Sequence, residues 1–144
     1  MAERDMATPL GLVVDDDAEL RVLFAQILRL GGLRVVEAGS GREALKLVQP
    51  SAPDFVVTDI EMPDVDGLEL CRQLRQLPAT SKVPIVVVTG SAVTQEHEAT
   101  AAGCDVVLAK PCSGALLLAT IQRLLVQAAG EGTKGSTSHI RGTT

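Results

Sequence analysis

The fold class is indicated first by the stretch Leu10-Gly11-Leu12-Val13-Val14-Asp15-Asp16-Asp17. A short apolar run that ends in consecutive aspartates is typical of a strand buried on both faces of a sheet, with a polar loop at its carboxyl end. Three further runs follow this plan: Phe55–Thr58 precedes Asp59, residues 85–88 precede Thr89, and Val106–Ala109 precedes Lys110. The carboxyl ends of parallel strands meet at one sheet edge, where such folds bind ligands. We therefore expect these polar side chains to form one site.

Helical patterns separate the strand-like runs. Apolar residues spaced by three and four predict a first helix over 20–30, closed by Gly31-Gly32. Ser40 and Glu43 resemble a capping box that opens a second helix. Similar patterns predict further helices over 68–77, 93–102 and 117–128, and a further strand over 33–36. Strands that alternate with helices across short connections predict an α/β, three-layer, doubly wound fold with a parallel sheet.

The fourth predicted helix carries a weak apolar side, which consists mostly of Ala99, Ala101 and Ala102. Each alanine lacks about three heavy atoms of a leucine, and each buried CH₂ group is worth ~0.8 kcal/mol. We therefore expect this helix to dock weakly and to be the mobile element of the fold.

Size and composition exclude several classes of protein. A chain of 144 residues that is 46% hydrophobic is sufficient for one domain with one core. The net charge of −5 and the absence of a basic cluster argue against a nucleic-acid surface. The charged start and the lack of a long apolar run argue against a secretory signal or a membrane span, so we expect a cytoplasmic protein.

The cysteines support neither a disulfide framework nor a zinc site, because Cys71, Cys104 and Cys112 are odd in number and lack metal-ligand spacing. Cys112 at a helix start could have a lowered thiol pKa, although a small residue packed at a turn is the favoured interpretation.

The acidic cluster predicts a bound cation. Like charges a few ångströms apart raise one another's pKa unless a positive charge lies between them. Mg²⁺ prefers carboxylate oxygens, which suits Asp16 and Asp59 as ligands, with Asp15 reaching it through water. Asp17 is expected to cap the first helix instead. Asp59 could then attack phosphorus as a nucleophile, with Lys110 neutralising charge and the Thr89 hydroxyl meeting a phosphoryl oxygen.

Taken together in this order, the motifs resemble the response regulator receiver domain of bacterial two-component signalling. The motifs that carry the resemblance are the stretch from Leu12 to Asp17, Val57-Thr58-Asp59-Ile60-Glu61-Met62-Pro63 with Asp66-Gly67, Val88-Thr89-Gly90, and Ala109-Lys110-Pro111. The resemblance implies a flavodoxin-like (βα)₅ fold whose strands are ordered 2-1-3-4-5. It also implies a cis peptide bond between Lys110 and Pro111.

The same resemblance implies the roles of the site residues. Asp59 would take a phosphoryl group from a phosphohistidine on a sensor histidine kinase or a histidine phosphotransfer protein. Asp15, Asp16, Asp59 and the backbone carbonyl of Glu61 would hold Mg²⁺ directly or through water. Lys110 would pair with the phosphoryl group and Thr89 would move to bond it. Such a module is not an enzyme acting on external substrates, since it catalyses only its own phosphorylation and dephosphorylation.

The resemblance covers residues 10 to about 129. We therefore expect a flexible N-terminal arm over 1–8, a receiver domain over 9–129, and a flexible Gly/Ser/Thr-rich tail or linker over 130–144. The sequence does not identify the output partner, and a homodimer is one option.

Two positions depart from the family pattern. Val107 stands three residues before the lysine, where receivers usually carry an aromatic ring or histidine, and Cys112 stands where Phe is common after Lys-Pro. Phe24 and Phe55 belong to the core by their periodicity, so neither obviously replaces that ring. We expect phosphoryl transfer to survive these changes and the readout to differ.

Two other functions are open at this point. A haloacid-dehalogenase-like phosphatase would use Asp15 as nucleophile and Asp17 as acid, but it would leave Asp59 unexplained. A pseudo-receiver would bind partners without phosphorylation, an interpretation supported only by Val107 in place of the ring.

Overall fold

The computed structural model describes residues 8–133. Within this range a single parallel sheet has the strand order β2-β1-β3-β4-β5, which confirms the flavodoxin-like topology. The strands are β1 (Leu10–Val14), β2 (Arg34–Ala38), β3 (Phe55–Thr58), β4 (Ile85–Thr89) and β5 (Val106–Ala109). The α-helices are α1 (Ala18–Leu30), α2 (Gly41–Leu47), α3 (Gly67–Gln76), α4 (Ala92–Ala102) and α5 (Gly114–Thr133), and a short 3₁₀ helix spans Pro78–Thr80.

The central strands are buried on both faces, as their continuous apolar runs predict. Every residue of β3 and β4 is buried. Successive side chains of a strand point to opposite faces, so Leu12 and Val14 join one apolar cluster while Val13 joins the other. The first cluster lies beneath α2, α3 and α4, and the second lies beneath α1 and α5. Phe24 and Phe55 are both in the second cluster, which confirms them as core residues.

The element boundaries differ in detail from those expected. β2 covers Arg34–Ala38 rather than 33–36, and α5 continues to Thr133, four residues past the expected domain boundary at 129. Most of the expected N-terminal arm and tail, residues 1–7 and 134–144, lies outside the described residues. Within residues 8–133, the helices lack the combination of length and apolar content that a bilayer span requires.

Polar side chains cap the helices that begin near the carboxyl edge of the sheet. The Asp17 carboxylate accepts hydrogen bonds from the amides of Glu19 and Leu20, which confirms it as the cap of α1. Ser40 caps α2 as expected, but the Glu43 carboxylate accepts from the amide of Gly39 instead of the Ser40 amide that a capping box requires.

Helix α4 is docked by small residues. Ala99 and Ala102 are buried, whereas Ala101, which we expected on the apolar side, is exposed. Its N-cap residue Ser91 makes no side-chain cap hydrogen bond. Among the described side chains, the Gln95 Oε1 atom is the buried acceptor that lacks a hydrogen-bond partner. These features agree with the expected weak docking.

The opposite end of α4 is held by Arg75 from α3. Its guanidinium donates hydrogen bonds to the carbonyls of Gly103, Thr80, Ser81 and Val83, and to the Asp105 carboxylate. Asp105 Oδ2 also accepts from the amide of Ile85 at the start of β4. One side chain therefore joins the ends of α3 and α4 to the starts of β4 and β5.

The cysteines are reduced in this structure. Burial raises the pKa of Cys71 to about 12 and that of Cys104 to about 11. Burial also raises the pKa of Cys112, so the lowered thiol pKa considered for this helix start is not found.

Candidate functional site

Three carboxylates meet at the carboxyl edge of the sheet. Asp15 and Asp16 follow β1 and Asp59 follows β3, and these strands are neighbours. One oxygen from each carboxylate lies within 4.8 Å of the others. Asp15 and Asp59 are buried, whereas Asp16 is exposed. The strand order therefore brings together the acidic residues that the sequence pattern singled out.

The Asp15 carboxylate contacts one backbone amide and the Lys110 ammonium group. Its Oδ1 atom accepts a hydrogen bond of 2.9 Å from the Asp17 amide, and its Oδ2 atom lies 3.5 Å from Lys110 Nζ. Burial raises the pKa of the Asp15 carboxyl above its ordinary value, and the nearby Asp59 charge adds to this effect. The Asp17 amide and the Lys110 ammonium oppose the increase.

Each oxygen of the Asp59 carboxylate has its own partner. Oδ1 accepts a hydrogen bond of 2.7 Å from the Ile60 amide, and Oδ2 lies 3.3 Å from Lys110 Nζ. Lys110 follows β5, and its peptide bond to Pro111 is cis, as the resemblance implies. The lysine therefore sits between two carboxylates that come from different strands.

Thr89 ends β4 and is fully buried. Its Oγ1 atom accepts a hydrogen bond of 3.2 Å from the Ser91 amide. The Ser91 hydroxyl in turn lies 3.4 Å from Glu61 Oε2, with Ser91 as donor. This contact links the loop after Asp59 to the start of α4.

Asp17 and Val107, which the sequence singled out, lie outside the carboxylate cluster. The Asp17 carboxylate is taken up by capping α1, and among the described residues the cluster consists of Asp15, Asp16 and Asp59. Val107 is half-buried and packs against the core cluster beneath α2, α3 and α4.

Gly67 contacts the site for a reason that the sequence pattern did not reveal. A Cβ atom at this position would lie 2.0 Å from the backbone oxygen of Asp59. The Gly67 amide also donates a hydrogen bond of 2.8 Å to the Ile60 carbonyl. The start of α3 therefore packs directly on the backbone that presents Asp59, and a side chain here would push that backbone away.

Arg21 also contacts the site, and the sequence pattern did not predict this contact. It lies one turn into α1, and its Nη1 atom donates a hydrogen bond of 2.8 Å to the Asp15 carbonyl. The helical spacing showed that Arg21 lies off the apolar stripe, but no pattern indicated which backbone group it reaches.

The donor set fits a hard divalent cation. Three carboxylates within 4.8 Å of one another repel unless positive charge is present, and Lys110 is a single cation shared by two of them. Mg²⁺ is commonly bound by one or two carboxylates together with water and phosphate oxygens. The exposed carboxylate of Asp16 leaves one side of the cluster open to solvent.

Comparison with known proteins agrees with this geometry. A family model described as the response regulator receiver domain matches residues 12–122. Response regulator MprA of Mycolicibacterium vanbaalenii is 43% identical over 115 residues, which cover 79% of this chain and 49% of the relative. The chain thus spans about half the length of the curated relatives it matches.

Solved structures share the architecture. The Vibrio cholerae chemotaxis protein CheY4 is 31% identical with a TM-score of 0.77, covering 81% of this chain and 98% of that one. The receiver domain of sensor histidine kinase PA1611 from Pseudomonas aeruginosa, which has a magnesium ion coordinated in its active-site cleft, is 28% identical with a TM-score of 0.77, covering 83% and 98%. Because both the family model and the fold extend over most of its length, this chain belongs to the response regulator receiver domain family of two-component systems.

Proposed function

We propose that Asp59 is the phosphoacceptor of a two-component phosphorelay and that its phosphorylation changes how the protein binds a partner. The observation that carries this proposal is the meeting of Asp59 with Asp15, Asp16 and Lys110 at one sheet edge. Phosphoryl transfer depends mainly on positioning and charge neutralisation, and this cluster supplies both.

The residues that would hold Mg²⁺ are Asp15, Asp16, Asp59 and the backbone carbonyl of Glu61. The magnesium-bound receiver domain of PA1611 supports this assignment, as does the carboxylate donor set of the present chain. When bound, Mg²⁺ neutralises the charge that develops on the phosphoryl oxygens.

The proposed donor is a phosphohistidine on a sensor histidine kinase or a histidine phosphotransfer protein. A carboxylate oxygen of Asp59 forms a bond to phosphorus while the phosphorus–nitrogen bond breaks, and the electron pair of that bond stays on the imidazole. Lys110 then pairs with the new phosphoryl group, and the Thr89 hydroxyl donates to one of its oxygens after releasing the Ser91 amide. We propose that this exchange takes place in the cytoplasm, where kinases have access to ATP.

The readout follows from the position of Thr89 next to α4. A phosphoryl group adds about 1.5–2 negative charges at neutral pH. Movement of Thr89 would disturb the Ser91 amide and the start of a helix that lacks a side-chain cap. Val107 replaces the usual ring, so we propose that α4 itself, rather than a swinging aromatic side chain, presents the change to an output partner or a second copy of the chain.

The test is phosphorylation by a small phosphodonor such as acetyl phosphate labelled with ³²P. We expect wild-type protein to acquire acid-stable, alkali-labile label when Mg²⁺ is present, and to lose this ability when Mg²⁺ is removed with EDTA. Asp59→Asn should acquire none, whereas Asp64→Asn, an exposed carboxylate that pairs with Arg42, is the matched control and should label normally.

Labelling and phosphatase assays separate the proposed function from the two alternative functions. A pseudo-receiver would leave wild-type protein unlabelled. A haloacid-dehalogenase-like phosphatase would release phosphate steadily from small monoesters, and it would lose this activity in Asp15→Asn but keep it in Asp59→Asn. The capping role of Asp17 argues against that phosphatase, because its required acid is already hydrogen-bonded to two helix amides.

A further inference from the structure

We propose that Arg21 is a positioning residue for divalent cation binding, acting through the backbone of Asp15. This inference rests on the proposed function, because it assumes that the acidic cluster binds Mg²⁺. Arg21 touches none of the three carboxylates in its hydrogen bonds. It would act by fixing the loop that carries Asp15 and Asp16.

Several hydrogen bonds hold the loop that carries Asp15 and Asp16. One of them comes from the side chain of Arg21, which lies outside this loop. The Asp15 amide donates to the Ala38 carbonyl of β2 at 3.1 Å, and the Asp15 carbonyl accepts from Arg21 Nη1 at 2.8 Å. The Asp17 amide donates to Asp15 Oδ1 at 2.9 Å. With Arg21 removed, the carbonyl side of Asp15 loses its charged hydrogen-bond donor.

Arg21 is itself held in place. Its Nε atom lies 3.2 Å from Glu37 Oε1, and only 21% of the arginine side chain and 26% of the glutamate side chain are exposed. A Cβ atom at Gly39 would lie 3.3 Å from Arg21 Nη1, so the absence of a side chain there leaves room for the guanidinium. A planar guanidinium can serve a carbonyl and a carboxylate together, which an ammonium group does poorly.

The sign of the effect distinguishes positioning from charge. Removing a positive charge near an acidic cluster would strengthen Mg²⁺ binding by Coulomb attraction alone, although Arg29 would still lie 3.5 Å from the Glu37 carboxylate. Removing a hydrogen bond that orients the ligand loop would weaken binding. We expect weaker binding, because the hydrogen bonds of Arg21 go to the Asp15 carbonyl and to Glu37 and not to the three carboxylates, so its loss acts mainly on the loop that presents them.

The experiment is an NMR titration of the ¹⁵N-labelled full chain with MgCl₂, following the backbone amides near Asp15 and Asp59. Loss of a group that orients a metal ligand typically weakens metal binding by about 10–100-fold. Because Arg21 orients the ligand backbone, we expect the lower end, about 10-fold, for Arg21→Met, with Arg21→Lys intermediate. Glu37→Gln, which removes the partner of the guanidinium, should also weaken binding, with charge and positioning acting in the same direction.

Arg29→Met is the matched control. Arg29 lies on the same helix and contacts the same glutamate at 3.5 Å, but its other hydrogen bond goes to the Val35 carbonyl and not to Asp15. The Mg²⁺ affinity of this variant should match that of wild type. Melting temperatures measured without Mg²⁺ report the purely structural contribution of each side chain.

Unchanged or tighter Mg²⁺ binding by folded Arg21→Met would overturn the inference, as would an equal loss in Arg29→Met. In either case wild-type protein would still bind Mg²⁺ and the proposed function would stand. Wild-type protein that shows no saturable Mg²⁺ binding would overturn the proposed function and the inference together.

Discussion

The buried carboxylate of Asp15 lowers the stability of the folded protein while it contributes to the candidate binding site. Burial raises the pKa of its carboxyl group above the ordinary value of 3.8. The folded protein therefore holds this proton to a higher pH than the unfolded chain does. As pH rises from about the ordinary value through the folded pKa, the unfolded chain loses its proton first, and the free energy of unfolding falls. At neutral pH the ionised Asp15 costs stability unless a cation is bound.

This cost can be measured with Asp15→Asn. In EDTA at neutral pH the variant should be more stable than wild type by about 1 kcal/mol, because it removes a buried charge without changing the shape of the side chain. The advantage should shrink as pH falls below the folded pKa. Denaturant unfolding across the acid range provides the measurement. Asp16→Asn, which removes an exposed carboxylate from the same loop, should gain less.

Added Mg²⁺ should reverse the order, since wild type gains binding energy that Asp15→Asn loses in part. If Asp15→Asn were less stable than wild type in EDTA, Asp15 would be a structural residue rather than one retained for binding.

Gly67 provides a residue-scale test of how Asp59 is presented. In Gly67→Ala the new Cβ atom would meet the Asp59 backbone oxygen, and backbone is hard to move. We expect a loss of about 2 kcal/mol or more in the free energy of unfolding, together with slower labelling by acetyl phosphate.

Gly90→Ala is the control, because a Cβ atom there meets nothing within 4 Å although Gly90 directly follows Thr89. Equal stability and equal labelling rates for Gly67→Ala and wild type would show that the close approach of α3 to Asp59 has no importance for the site.

Arg75 connects several secondary-structure elements at one end of α4. The guanidinium of Arg75 satisfies backbone carbonyls that belong to several segments. Removing a partner from a part-buried group leaves that group unsatisfied, which costs ~1–3 kcal/mol. The contacts should therefore matter far more than the charge of this arginine.

The comparison of Arg75→Met with Arg72→Met tests this view. Both arginines lie on α3, but Arg72 is half exposed and makes a surface ion pair with Glu69. We expect Arg75→Met to lose about 2–3 kcal/mol in urea unfolding and Arg72→Met to lose less than about 0.5 kcal/mol. Similar losses for the two variants would contradict the assignment of Arg75 as the residue that joins these elements.

Helix α4 should open locally more often than its neighbours. It buries Ala99 and Ala102, whereas α3 buries Leu70, Cys71 and Leu74. In native-state hydrogen exchange, we expect the α4 amides to exchange faster than those of α3, with the first half of α4 faster than the half anchored near Gly103. Protection of α4 equal to that of α3 would contradict the weak docking inferred from its composition.

At the scale of the whole molecule, local pattern was enough to predict the doubly wound α/β class and the clustering of the site residues, whereas the strand order 2-1-3-4-5 came from the family resemblance. Four of the strands are apolar runs that end at or just before a polar residue, and parallel pairing then places Asp15, Asp59, Thr89 and Lys110 at one edge. Contacts between distant segments were not predictable in this way. The roles of Arg21, Gly67 and Arg75 depend on which backbone groups the fold brings beside them, and no periodicity encodes that.

The proposed function depends on the Asp59 carboxylate accepting the phosphoryl group. The most direct measurement is to treat the protein with acetyl phosphate and Mg²⁺, reduce the acyl phosphate with borohydride, and locate the resulting homoserine by peptide mass spectrometry. We expect homoserine at position 59, dependent on both phosphodonor and Mg²⁺. Reduction at position 15 or 16 instead, or no homoserine in protein shown to be folded, would contradict it.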